Sequence, residues 1–429
     1  MKYFPIEKSF FIENRKSFSK KLKPNSIAII NSNDEQFRTG DQFYKFRQNS
    51  DFFYLTGIDQ EKSVLIIAPD CPNPNLREVL FVVKSNAKME TWYGHKYSID
   101  EAKEISGIKK IFWLESFESI LNEIMYLSED VYLNLNEYPK FFTDSESRDL
   151  RFVKKIKNDY PLHNYNRAAP ILWKQRIIKS QTEIDLINKS CEITAKSFEN
   201  ILKLIKPGIK EFEIEAEIEH EFLKNRANGS AYHPIVASGE NACILHYTDN
   251  NQECNDGDML LMDFGAEYAN YAADLTRTIP VNGKFSARQK QVYEAVLRVQ
   301  KKAIGLMKPG NTIEKLNKEV NKIMETELIG LKLCTHNDFR NKEAAKKSLS
   351  KYYLHGVSHF LGLDVHDVGS KYEEFKPGMV LTCEPAIYIK EEKLGIRIEN
   401  DILITENEAI DLMKNIPREV DEIEKLMAE

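Results

Sequence analysis

No stretch of this 429-residue chain is apolar for long enough to cross a membrane. The longest apolar runs, at 259–264 and 377–389, fall well short of the ~20 residues a membrane helix needs. The first residues, Met1-Lys-Tyr-Phe-Pro-Ile-Glu-Lys8, hold neither a continuous apolar core nor a small-residue cleavage site. No signal peptide and no membrane partner are therefore expected, and a cytoplasmic location is. An excess of positive charge is missing too. Lys and Arg number 60 against 66 Asp and Glu, a net charge of −6, which argues against nucleic acid as a partner. The six cysteines (71, 191, 243, 254, 334 and 383) form no CxxC and no regular spacing, which reads as free thiols in a reducing compartment. No glycine-rich phosphate loop sits at a strand-to-helix turn, so nucleotide binding has no support.

What the chain does contain is ordinary globular material, 42% hydrophobic and 29% charged, in a length that calls for two domains. Residues 1–170 alternate strand-like and helical patterns. Strands are expected at Ser26–Ser32, Phe52–Ile58, Ser63–Pro69, Glu78–Lys84 and Asp130–Leu135, and helices at Glu7–Leu22 and Ser116–Leu127. This predicts an α/β domain around a mixed sheet. Near residue 172 the pattern changes, which divides the chain into domains 1–172 and 173–429. Ser180-Gln-Thr-Glu183 reads as a capping box that opens a long helix ending near Lys206-Pro-Gly208. Leu204-Ile-Lys-Pro-Gly208 is echoed by Leu306-Met-Lys-Pro-Gly310. Each follows one amphipathic helix and precedes another (Glu211–Arg226, Thr312–Leu328). Long strands come after each pair, at 259–281 and 378–405. A helix-helix-sheet unit used twice predicts a pseudo-symmetric domain with its site between the halves.

The chemistry is concentrated in those strands. Asp263 lies in Leu-Leu-Met-Asp-Phe-Gly and Asp274 in Ala-Ala-Asp-Leu-Thr-Arg-Thr. Downstream come His359, Glu384 in Thr-Cys-Glu-Pro and Glu399 in Arg-Ile-Glu-Asn-Asp. Each acid ends or interrupts an apolar run, and a buried carboxylate is costly unless paired or metal-bound. Asp263 and Asp274 bracket one expected hairpin, Glu384 and Glu399 another, with His359 between them. Four acids and one imidazole can hold two divalent cations about 3.5–4 Å apart. An oxygen-rich set with one imidazole suits Mn²⁺, Co²⁺ or Zn²⁺. Cys383 adjoins Glu384, but strand alternation turns it to the opposite face. The polar stretch 335–352 reads as a surface loop or short helix without a catalytic part.

These residues stand in motifs that resemble the pita-bread metallopeptidases, and within them aminopeptidase P. The resemblance covers nearly the whole chain. It rests on Ser238-Gly-Glu-Asn-Ala-Cys-Ile-Leu-His-Tyr247, Met262-Asp-Phe-Gly265, Ala273-Asp-Leu-Thr-Arg-Thr278, the run His355–Gly369, Leu381-Thr-Cys-Glu-Pro385, Gly395-Ile-Arg-Ile-Glu-Asn400 and, near the start, Arg47–Gly57. It implies a ribonuclease-H-like N-terminal domain followed by a pita-bread catalytic domain. It implies two metal ions, usually Mn²⁺, on Asp263, Asp274, His359, Glu384 and Glu399, with Asp274 and Glu399 bridging. His246, His355 and His366 match histidines around the substrate, and Tyr388 and Arg397 match positions beside the site. Glu384 is the expected proton shuttle. Trp92 is a candidate wall for the proline ring. The chain has Trp92-Tyr-Gly-His-Lys96 where family members often show Trp-x-Gly-Arg-Arg, which places any arginine contribution there in doubt.

The implied reaction removes the N-terminal residue from peptides with proline in second position, by attack of a metal-bridging hydroxide. A homodimer or homotetramer is the implied assembly. A prolidase, restricted to Xaa-Pro dipeptides, would share all five ligands; Ser358 before the ligand histidine looks more like aminopeptidase P. A methionine aminopeptidase does not need the N-terminal α/β domain. Creatinase-like enzymes lack this metal set, and a non-catalytic binding module on the same fold would have lost its ligands.

Overall fold

The computed structural model describes residues 3–428. Two compact units divide it, Tyr3–Arg176 and Ile177 onward. The boundary read from the sequence, at 172, lies inside the helix Ala169–Arg176, and the division follows that helix.

The first unit is built on a six-stranded mixed sheet. Its strands run in the order Lys110–Trp113, Glu78–Val82, Val64–Ile67, Ser26–Asn31, Asp130–Leu133, Asn164–Arg167. Ser26–Asn31 pairs antiparallel with Val64–Ile67 and parallel with Asp130–Leu133. Ile27, Ile29, Ile66, Val79, Phe81 and Val131 fill one core with Leu121 and Ile124 from helix Phe117–Tyr126. The segment Phe52–Ile58, expected as a strand, is instead the core of a helix, Ser50–Thr56. Its Asn49 side chain caps the amides of Asp51 and Phe52, and Gly57 at φ 67° closes the C-terminus. Phe52, Phe53, Tyr54 and Leu55 are all buried, so their aromatic run carries no period that separates strand from helix. The caps decide the matter.

The second unit repeats one plan. Ser180 and Glu183 form the predicted capping box of helix Gln181–Leu202; Ser286 and Gln289 form another on helix Ala287–Leu306. Each helix ends in a Lys-Pro-Gly turn and is followed by a second, Glu211–Lys224 and Ile313–Gly330. The amides of Gly208 and Gly310 donate to the carbonyls of Cys254 and Phe375. After each pair comes a strand ribbon with a break in it. Met259–Phe264 and Leu275–Pro280 pair antiparallel, with Ala266–Tyr268 and Tyr271–Ala272 forming the tip. Val380–Cys383 pairs with Asn400–Ile404, and Ala386–Ile389 with Leu394–Arg397. The two ribbons meet at a bridge between Thr276 and Glu399. The guanidinium of Arg277, fully buried, fastens this junction through the carbonyls of Thr276, Glu399, Ile416 and Pro417. The polar stretch from 335 forms a short turn, His336–Phe339, and the helix Lys342–Tyr352.

Candidate metal centre

The ribbon breaks place the acids. Asp263 sits one residue before the end of Met259–Phe264, opposite Thr276. The chain then bends at Gly265, where a Cβ would lie 1.7 Å from the carbonyl oxygen of Ala273. Asp274 is on the return, immediately before Leu275–Pro280. Glu384 occupies the matching gap between Val380–Cys383 and Ala386–Ile389, and Glu399 the gap between Leu394–Arg397 and Asn400–Ile404. Both hairpins expected from the sequence are present; Asp274, Glu384 and Glu399 lie in their breaks and Asp263 on the strand just before one. His359 arrives on a loop whose backbone is held by Thr382: the His359 carbonyl accepts from the Thr382 amide at 2.9 Å, and the His359 amide donates to Thr382 Oγ1 at 3.2 Å.

All five side chains converge. One ligand atom each from Asp274, His359 and Glu399 lies within 4.8 Å of the other two. His359 Nε2 is 3.4 Å from Asp274 Oδ2 and 3.8 Å from Glu384 Oε1. Its Nδ1 is 3.0 Å from the Phe360 carbonyl. A carbonyl only accepts, so Nδ1 carries a hydrogen, which leaves Nε2 facing the acids as the nitrogen that would lose its proton to a metal ion. Asp263 Oδ2 accepts from Arg397 Nη2 at 2.6 Å. The Tyr232 hydroxyl stands between Asp263 Oδ1 at 2.6 Å and Asp274 Oδ1 at 2.5 Å, one proton between two acceptors. Thr276 Oγ1 donates to Glu399 Oε2 at 2.6 Å and accepts from Arg397 Nε at 3.0 Å.

The histidines take distinct places. His355 Nδ1 donates to the Gly356 carbonyl at 2.9 Å and lies 3.3 Å from Glu384 Oε2. Its Nε2 is therefore the acceptor from the Tyr388 hydroxyl at 2.9 Å, and Arg397 Nη1 donates to that hydroxyl oxygen at 2.8 Å. Burial, with the nearby charge of Arg397, brings His355 down to about 4, so the ring is neutral. His366 is exposed and stacks edge-on to His359, ring centres 4.4 Å apart. His246 is exposed on the segment after the short turn Gly239–Cys243. The buried carboxylate of Glu211 pins that segment, accepting from the Ser238 amide and hydroxyl, the Tyr247 hydroxyl and the Gln252 amide at 2.7–2.9 Å. Trp92 lies in the first unit, on helix Ala87–Tyr93, and is 75% exposed. Cys383 faces away from the acids, as alternation predicts, with its sulfur near the Gln300 carbonyl, and burial pushes its thiol well up.

Three residues of the site were not picked out by the sequence reading. Thr276 and Asp401 stand two residues beyond Asp274 and Glu399, so the period of a strand was a usable signal for both. Asp401 accepts from the amide of Asp274 at 3.0 Å and from the Cys191 thiol. Tyr232 precedes the strand Ile235–Ser238 and carries no such signal; only the pairing of Ile235 with Asp263 brings it in.

The electrostatics ask for cations. Four carboxylates meet one guanidinium here, and Asp274 and Glu399 are 5% and 2% exposed. Burial, aided by the surrounding acids, pushes Glu399 well up and Glu384 up to about 7. Asp263 is also raised by burial, against the pull of Arg397. Burial alone would lower His359, but the hydrogen bond to Asp274 and the charges of Glu384 and Asp274 carry it up to about 9. Each shift is a response to negative charge crowded in a dry place. Two divalent ions would supply the missing charge, and the donor set of carboxylate oxygens with one imidazole nitrogen suits them.

The profile of metallopeptidase family M24 matches residues 185–406, which contain all five of these side chains, and that of the aminopeptidase P N-terminal domain matches 11–132. The Xaa-Pro aminopeptidase of Haemophilus influenzae is 36% identical over 434 residues, covering 98% of both chains. The structure of Escherichia coli aminopeptidase P with the inhibitor Pro-Leu superposes with a TM-score of 0.88 at 34% identity, covering 99% of each chain. A zinc-substituted form of that enzyme in complex with product gives 0.87 at 33% identity, again over 99% of each chain. The chain belongs to metallopeptidase family M24, with the aminopeptidase P N-terminal domain ahead of a pita-bread catalytic domain.

Proposed function

We propose that this protein is an Xaa-Pro aminopeptidase that removes the N-terminal residue from peptides with proline second. The observation that carries the reading is the convergence of Asp263, Asp274, His359, Glu384 and Glu399 in a chain alike over its full length to enzymes of that name. These five would hold two divalent ions, Mn²⁺ in preference. When bound, such ions acidify a water and polarise the scissile carbonyl.

The chain's own groups do the rest. Glu384, buried among the acids with Oε1 3.8 Å from His359 Nε2, can take a proton from the attacking water and return it to the departing nitrogen. That return matters for proline, whose tertiary amide nitrogen has no hydrogen and leaves only when protonated. His355, neutral, keeps its Nδ1–H on the Gly356 carbonyl and sets that nitrogen 3.3 Å from Glu384 Oε2, a neighbour that would orient the carboxyl. Arg397 braces Asp263 and, through Tyr388, His355. His246 and His366, both exposed, would donate to the substrate carbonyl oxygen as charge develops on it. Trp92 is the proposed wall for the proline ring. A homodimer or homotetramer in the cytoplasm belongs to the same reading.

The test is release of the N-terminal residue from Arg-Pro-Pro and from Ala-Pro, after chelation and after Mn²⁺ is restored. Metal-dependent cleavage of the tripeptide, with the dipeptide poor, is expected. Cleavage of the dipeptide alone would make the protein a prolidase, and cleavage of neither would overturn the reading.

A further inference from the structure

His359 and His366 belong to one irregular loop. At its start, Leu361 donates to the Val380 carbonyl at 3.1 Å, and Phe360 bridges to Leu381. In its middle, the Gly362 carbonyl accepts from the amide of Ala272, two residues before Asp274. The loop closes where the Asp367 amide donates to the Phe360 carbonyl at 2.9 Å. His366, one residue before that closure, is exposed and stacks edge-on to His359.

Asp367 itself is buried, and Lys179 is buried against it. Their side chains are each 1% exposed, with Nζ 2.9 Å from Oδ2. Lys179 is the third residue of the second unit. Its amide donates to the Gly378 carbonyl at 2.8 Å, and the Gly378 amide donates to Ile404, the end of the strand that follows Glu399. The ammonium therefore comes from a fixed point on the second ribbon and reaches the loop from beneath. Gly362 has no room for a side chain: a Cβ there would lie 2.2 Å from Asp367 Oδ2 and 3.0 Å from Lys179 Cε. The loop is folded down onto the ion pair.

A buried ion pair is no general aid to stability, since two well-packed apolar side chains serve as well. It does impose one geometry, because the carboxylate must meet the ammonium at hydrogen-bond distance. We propose that Lys179 and Asp367 are positioning residues for His366, holding its imidazole beside His359 and towards the substrate. This rests on the aminopeptidase reading of the site for its kinetic consequence.

The experiment compares the full-length, metal-loaded wild type with Asp367→Asn, His366→Ala, their double variant, and Lys179→Met/Asp367→Leu. Metal content, melting temperature, kcat and KM are measured on an Xaa-Pro tripeptide, together with imidazole proton–nitrogen NMR spectra. Asp367→Asn should lower kcat by about 10–100-fold with KM changed less than about threefold and metal retained, as for a group acting in the transition state. It should add nothing to His366→Ala, since both act through one imidazole. Lys179→Met/Asp367→Leu should regain the melting temperature lost by Asp367→Asn without regaining kcat, which separates positioning from folding. The His366 resonance, identified by its loss in His366→Ala, should shift in Asp367→Asn. Wild-type kcat in a metal-replete Asp367→Asn, losses that multiply in the double variant, or an unmoved His366 resonance would each overturn the proposal. A wild type that cleaves no Xaa-Pro substrate would sink the activity reading instead, and the NMR comparison would still decide the positioning one.

Discussion

Thr276 shows how closely the acids depend on neighbours that bind nothing themselves. Its hydroxyl donates to Glu399 and accepts from Arg397, and all three residues are buried. Thr276→Val keeps the shape and leaves a carboxylate oxygen and a guanidinium N–H without that partner. The expected cost is about 1–3 kcal/mol of stability and a roughly 10–100-fold loss of metal affinity. Thermal melts of the chelated protein and a competition titration against a chelator measure the two effects. Unchanged affinity would remove Thr276 from the site's support. Within the first unit, Asp149 gives a pH signature. Burial lifts its carboxyl to about 7 from 3.8, against the hydrogen bond it accepts from Asn31. Between those values the folded state binds more protons than the unfolded state, so stability falls as pH rises through the window and levels off above it. Asp149→Asn should abolish that fall, on the order of a few kcal/mol. Urea melts of both proteins at about pH 5 and about pH 8 check it, and parallel pH dependences would contradict it.

At the scale of elements, the two acid-bearing hairpins were the most legible part of the chain. A carboxylate in an apolar strand is so unfavourable alone that four of them announced a shared purpose. Strand period then placed Cys383 away from the site. The capping box at Ser180 was equally plain, because its two residue types do one local job. Phe52–Ile58 misled for a physical reason: with every aromatic buried, only Asn49 and Gly57 distinguish helix from strand. The break in each ribbon was invisible, since the close approach that needs a glycine at 265 comes from the carbonyl of Ala273, on the return side of the turn. Gly265→Ala would drive a methyl into that carbonyl and push the two strands apart at the point where Asp263 and Asp274 must meet. The variant should lose metal and lose more than about 3 kcal/mol of stability. Metal analysis and a urea melt test this; a metal-replete, stable Gly265→Ala would show that the ribbon relaxes.

For the whole molecule, the helix-helix-ribbon plan occurs twice, and each copy brings two acids to one junction. The pairing of Lys-Pro-Gly turns hinted at this, and the second capping box at Ser286 completes it. What composition and pattern could not reach was Tyr232, delivered by strand register alone, and the ion pair between Lys179 and Asp367, which lie 188 residues apart. The duplicated plan explains why the site is crowded with negative charge: two halves, each with a pair of carboxylates, face one another across a dry seam. On the proposed reading, metal binding and activity should rise together. The most direct measurement titrates the chelated full-length protein with Mn²⁺ while following both bound metal and hydrolysis of Arg-Pro-Pro, for the wild type and for Asp274→Ala. Wild-type activity should saturate as two ions bind per chain, and Asp274→Ala should stay folded, bind less metal and remain inactive. Full turnover in Asp274→Ala, or in wild type freed of metal, would contradict a reaction built on these five side chains.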